Sequence, residues 1–193
     1  MPTPPDSHRL RVEFGPSKRE KIREIGRARQ QAKTTEHKAA SRDGHDIHVM
    51  GFAAEAALAE AIGVPPDMRI SPDGHGEVSL RASGVTFDTC WRSSSTRDLA
   101  YWPGEVPKVH ALVLACGDLP EIWLQGWISH KQFLGEFREA EFGRKGKRWV
   151  LPPTGLRPIA ELYTDGPFDL PKGVLAQQPE GHPLRPKTES LFH

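Results

Sequence analysis

Apolar positions along the chain fall into a few stretches whose periods differ, and those periods set out the expected elements. Residues 1–15 hold three of the 18 prolines and no period, so they are expected to be a mobile arm. From Ser17 a helix is expected. Ser17-Lys18-Arg19-Glu20 has capping-box spacing, in which Ser17 accepts from the backbone N–H near Glu20 while Glu20 reaches back. Behind it Ile22, Ile25, Ala28 and Ala32 form a thin apolar stripe, and Lys21, Arg23, Arg27, Arg29 and Lys33 crowd the remaining surface. Such a helix should dock weakly. The stretch MGFAAEAALAEAIG, closed by Gly63 and Pro65-Pro66, predicts a second and far more apolar helix. At about 100° per residue Glu55 lies on the same side as Leu58, Ala59 and Ile62, whereas Glu60 falls about 140° away. A carboxylate on a packed face needs a cation, a metal or hydrogen-bond donors.

Beyond residue 76 the period changes to two. Glu77–Ala82 alternates, Ser83-Gly84 offers a two-residue turn, and Val85–Trp91 alternates again, which predicts a hairpin. Val85, Phe87 and Thr89 then share one face, and Thr86, Asp88 and Cys90 the other. The serines at 93–95 and the stretch Arg97–Glu105 read as a loop or extended link. Val109–Cys116 is almost continuously apolar, as a strand buried on both faces should be, and Glu121–Ser129 is its expected neighbour. Lys131–Phe142 reads as helix, Arg144–Arg148 as a basic turn, Trp149–Pro153 as a short strand and Leu156–Tyr163 as a last ordered piece. Five prolines in the 28 residues from Gly166 point to a proline-rich tail. The expected organisation is an arm (1–15), a basic helical extension (16–45), an α/β core (46–163) in which helices flank a mixed β-sheet, and the tail (164–193).

Composition sharpens this only locally. The chain has 193 residues, 26 Lys+Arg against 25 Asp+Glu, and two cysteines, Cys90 and Cys116. Two cysteines exclude a disulfide framework and a cysteine-rich zinc site. No apolar run nears the roughly 20 residues of a membrane span, and the first residues lack the apolar core of a secretory signal, so a cytoplasmic protein with no membrane partner is expected. Residues 1–50 carry a charge of +4 and residues 51–193 a charge of −3. The basic excess is therefore confined to the N-terminal part.

Three carboxylates precede or sit on core elements: Glu55 on the second helix, Glu77 at the start of the hairpin and Asp88 within its second strand. Convergent carboxylates suit a hard divalent cation. Their spacing alone is equally met by exposed strand residues and a locally satisfied Glu55. Two further readings weigh less. Cys90 with His110 or His75 would make a thiol dyad, but nothing resembling a nucleophile turn surrounds it. His45 and His48, with Asp46 between them, lack a third zinc ligand at recognisable spacing. Trp123 and Trp127, at i and i+4 of one strand, should share a face and pack the sheet.

In order, Gly51-Phe-Ala-Ala-Glu55, Asp73-Gly-His-Gly-Glu77, Phe87-Asp88-Thr89-Cys90 and Gly126-Trp127-Ile128-Ser129, followed by Trp149-Val-Leu-Pro-Pro and Leu156–Leu162, resemble the PD-(D/E)XK nuclease superfamily, in particular its small bacterial and phage members. The resemblance covers about 110 residues. It implies a restriction-endonuclease-like core, with Glu55, Glu77 and Asp88 as ligands of Mg²⁺ or Mn²⁺ and a phosphodiester substrate. One position departs. Where the family has Asp-x-Lys, this chain has Asp88-Thr89-Cys90, and a thiol supplies no positive charge to a phosphate. Arg92 on the same strand face, or Lys108, would have to replace it. The expectation is a nucleic-acid-associated protein with a degenerate or weakly active site. The alternatives are an active DNA endonuclease with a relocated cation and a nuclease-fold scaffold for a protein partner. Nucleic-acid contacts would come from Lys18, Arg19, Arg23 and Arg27 on the first helix and from Arg144, Lys145, Lys147 and Arg148 at the basic turn.

Overall fold

The segment expected to be an arm contains a strand. In the computed structural model, which describes residues 8–32, 47–70, 85–142 and 146–162 together with the backbone of 78–80 and 163–164, Leu10–Glu13 (β1) alternates buried and exposed positions and pairs antiparallel with residues 121–124. The arm reading is thus corrected for these residues. Leu10 and Val12, two residues apart, add an apolar edge to a sheet whose face is already apolar. Pro16–Ala32 (α1) begins with Pro16, and the Gly15 carbonyl accepts from Arg19 N at 3.0 Å. Proline suits a first helical position because its missing N–H would have no helical acceptor there, so the start owes more to Pro16 than to the box at Ser17.

This helix is firmly docked, contrary to expectation. Ile22, Ile25, Gly26 and Arg29 are buried against Ile47–Ile62 (α2). At Gly26 the helices approach so closely that a Cβ would lie 2.5 Å from the Val49 Cα, a distance that only glycine permits. Twelve of the residues of α2 are buried, because α1 covers one side and a sheet the other; an all-round apolar helix needs that double cover. Glycine 63 closes α2, with Val64 N donating to the Ala59 carbonyl at 2.9 Å.

Val78–Leu80 (β2) and Val85–Arg92 (β3) pair antiparallel, as the hairpin reading required; the Ser83-Gly84 turn lies outside the described residues. The chain then forms Leu99–Tyr101 (β4), within the stretch expected to be a loop, before Ala111–Asp118 (β5), parallel to β3, and Glu121–Ser129 (β6), antiparallel to β5. The five-stranded mixed sheet has the order β1-β6-β5-β3-β2. His130–Glu136 (α3) fills only the first part of the expected helix. Ser129 caps it by accepting from Gln132 N. Arg138–Glu141 (β7) then runs antiparallel to Lys147–Leu151 (β8), which also pairs with β4. Pairing with β8 supplies β7 with partners that helix propensity could not anticipate. Pro153–Gly155 forms one 3₁₀ turn and Glu161–Thr164 (α4) ends the described fold; the proline-rich tail lies outside it.

The layers are helices, five-stranded sheet and three-stranded sheet. β5 shows both interfaces: Ala111, Val113 and Ala115 join the core beneath α1 and α2, while Leu112 and Leu114 join a second core with Leu99, Phe133, Leu151 and Leu156. The chain is therefore a mixed α/β protein. One register detail overturns an expectation. Gly126 pairs with Leu114 but Leu124 with Ala115, so Gln125 is an extra residue and inverts the alternation. Trp127 joins Ile122 and Leu124 under the helices, and Trp123 lies on the opposite face. Gly126, at φ +154°, allows the Arg157 carbonyl to approach where a Cβ would lie 2.8 Å from it. Among the described residues no helix is long and apolar enough to cross a membrane.

Candidate functional site

Asp88, Cys90 and Arg92 share one face of β3, as their period-2 spacing required, and that face looks toward β4. Tyr101 donates its hydroxyl to Asp88 Oδ2 at 2.7 Å. The Cys90 thiol points at the Ala100 carbonyl, 4.0 Å away. Arg92 donates from Nη2 to the Ala100 carbonyl at 2.8 Å and from Nε to the Asp98 carbonyl at 3.2 Å. Asp88, Cys90 and Arg92 are thus each engaged by the short strand that sequence periodicity missed. Burial pushes the Cys90 thiol up, against the pull of Arg92 and Arg148. It also raises the Tyr101 phenol well above its ordinary range, with the Asp88 charge adding to the rise. Neither group is poised as a nucleophile or base at neutral pH.

Glu55 faces inward, as its helical position implied, and its partner is a cation. Arg29 Nη1 donates to Glu55 Oε2 at 2.6 Å, and the remaining donors of the same guanidinium reach the Asp67 carbonyl at 2.6 Å and the Arg69 carbonyl at 3.2 Å. Its plane also lies 4.5 Å from the Phe52 ring. Sequence reasoning placed Arg29 on the open surface, and this is corrected. The signal was present, since Arg29 is seven residues after Ile22 and so only about 20° around the helix from it. Burial raises Glu55 from 4.5 to about 7; Arg29 opposes the rise, and the charge of Asp88 adds to it. Desolvation outweighs the ion pair here because only one carboxylate oxygen meets the cation within an apolar helical layer.

The two described carboxylates therefore sense each other's charge, but each is held by a protein partner, Glu55 by Arg29 and Asp88 by Tyr101. Glu77, the third expected ligand, lies outside the described residues, as do His45, Asp46 and His75. Among the described residues no group of three His, Cys, Asp or Glu side chains could hold a metal ion. A divalent cation of the Mg²⁺ type takes about six oxygens, and the described donors do not fit that demand. His110 does not serve Cys90. Its Nδ1 accepts from Thr86 N at 3.1 Å, and Lys108 beside it is exposed.

The cations divide into two sets. On α1, Lys18 pairs with Glu60 at 2.9 Å and Lys21 with Glu24 at 2.9 Å; Arg19 is half-buried, and Arg23 and Arg27 are exposed one turn apart. On β8, Lys147 pairs with Glu139 at 3.1 Å, while Arg144 and Lys145 lie outside the described residues. Arg148 stands apart from its expected role in an open basic turn. It lies beside Cys90 and Arg92, as their mutual electrostatic influence shows, and its guanidinium sits 4.1 Å from the Trp102 ring centroid. Only the pairing of β8 with β4 brings it there. No protein-family model, curated protein or solved structure matches the chain.

Proposed function

We propose that this chain is a nucleic-acid-associated protein whose nuclease-like site is degenerate, so that it binds phosphodiesters and cleaves them weakly or not at all. The reading keeps the resemblance to the PD-(D/E)XK superfamily and its restriction-endonuclease-like core. One observation carries it: both described carboxylates of the candidate site are committed to protein partners, beside a thiol where the family has its lysine. Carboxylates so held do not gather the oxygens that Mg²⁺ or Mn²⁺ requires. The cations are better supplied. Arg23 and Arg27 lie on the helical layer and Lys147 and Arg148 on the three-stranded layer, so one bound strand meets about two of them, which predicts a slope near −1.5 for log affinity against log salt concentration, from roughly 0.7 to 0.9 per phosphate.

The test uses the full chain with single- and double-stranded DNA and RNA, in Mg²⁺, Mn²⁺ or EDTA, with Asp88→Ala run alongside. Salt-dependent retardation without metal-dependent cleavage is the expected result. Metal-dependent cleavage lost in Asp88→Ala would replace this reading with an active DNA endonuclease whose cation is relocated, and Arg92 and Arg148, flanking Cys90, are where that cation would be sought. Absence of retardation at low salt would refute the nucleic-acid reading and leave a scaffold for a protein partner.

A further inference from the structure

We propose that Arg148 with Trp102 and Phe142 forms a receptor for single-stranded nucleic acid, in which the guanidinium takes a backbone phosphate and the exposed Phe142 ring stacks on a neighbouring base. This rests on the nucleic-acid reading above and specifies its ligand. The guanidinium lies 4.1 Å from the Trp102 centroid and 5.5 Å from that of Phe142. Two aromatic rings hold the guanidinium plane, and because Nε is buried the two terminal nitrogens are the donors that bidentate phosphate recognition would use. Its hydrogen bonds are not spent elsewhere. Arg148 Nε is buried with no partner, and among the described residues no acceptor holds the terminal nitrogens. Its neighbours differ in this respect: Arg92 is bound to two carbonyls, Arg138 to Asp98 at 3.3 Å and Lys147 to Glu139.

The local field favours an anion. Arg92 is close enough to lower the Arg148 pKa, after the larger effect of burial, while Cys90 and Glu105 act in the opposite direction. An anion placed at Arg148 would meet the fields of two guanidinium groups. The choice of a single strand follows from Phe142. It is 40% exposed at the start of the β7–β8 turn, where its backbone N–H donates to the Gly146 carbonyl at 3.0 Å. A duplex keeps its bases stacked on one another and presents no ring face to such a side chain, whereas a single strand does.

The experiment is fluorescence anisotropy of the full chain with a fluorescein-labelled 15-mer of thymidine and with a mixed-sequence duplex of equal length, at several salt concentrations. Phe142→Ala is expected to weaken single-strand binding about tenfold, within the range measured for loss of one base–aromatic stack, and to leave duplex binding unchanged. Arg148→Gln should weaken the single strand and reduce its salt slope by about 0.7. Arg148→Lys should weaken binding and keep that slope, because the charge remains while the planar fork is lost. Single-strand binding unchanged in Phe142→Ala overturns the proposal while the broader reading stands; the exposed position of Phe142 keeps this result independent of folding. Equal losses for strand and duplex in Phe142→Ala also overturn it. If neither probe binds the unsubstituted chain, the nucleic-acid reading fails and this proposal with it.

Discussion

Replacing Glu55 with glutamine isolates the balance between burial and ion pairing at the heart of the helical layer. The Glu55 carboxyl, 11% exposed and 2.6 Å from Arg29, ionises at about 7 in the folded chain against a usual 4.5. Between those values the folded chain holds a proton that the unfolded chain has released. Because the folded state then binds more protons, stability falls as pH rises, by about 1.4 kcal/mol per pH unit. The contribution is complete below pH 4.5 and gone above about pH 7, a total of about 3 kcal/mol. Glutamine does not titrate, so the variant lacks this slope whatever its absolute stability. Urea unfolding followed by tryptophan fluorescence from pH 4 to 8 would measure both proteins, and other titrating groups cancel in the difference. The wild-type advantage should shrink by about 3 kcal/mol across the window and then level. A difference that is flat, or that grows with pH, would mean that Arg29 holds the carboxylate ionised and that pairing outweighs desolvation. Arg29→Met removes the opposing cation and should carry the decline to higher pH.

Two other outcomes test the packing around the site. Gly26→Ala places a methyl against the Val49 backbone and should cost about 1–3 kcal/mol, whereas Gly51→Ala, where a Cβ meets nothing within 4 Å, should stabilise by up to about 1 kcal/mol; thermal melts of the pair would sink the close-approach account if their order were reversed. Burial raises both thiols, Cys116 to about 11, so at pH 8 both stay protonated and a chromogenic disulfide reagent should label the folded chain slowly but two thiols per chain in urea. Rapid native labelling at Cys90 would contradict its half-buried place against β4.

Local signals in the sequence determined several elements, and the reason is that each is governed by neighbours in the chain. The bounds of β6, the double-faced burial of β5, the β2–β3 hairpin and the inward side of α2 all follow from periods of two or of about 3.6 residues. The common face of Asp88, Cys90 and Arg92, and the need of Glu55 for a partner, were legible for the same reason. Tertiary structure decided the rest. β1, β4 and β7 are three- or four-residue strands whose order comes from pairing with distant residues, so a window along the chain cannot find them. A single extra residue at Gln125 sent Trp123 and Trp127 to opposite faces. Partner choice was equally non-local: Arg29 reaches Glu55 through the closeness that Gly26 permits, Tyr101 reaches Asp88 through β4, and Arg148 comes beside Cys90 because β8 pairs with β4. The sequence shows which side chains turn inward, since geometry along one element fixes that; which group each one meets depends on how separate elements pack.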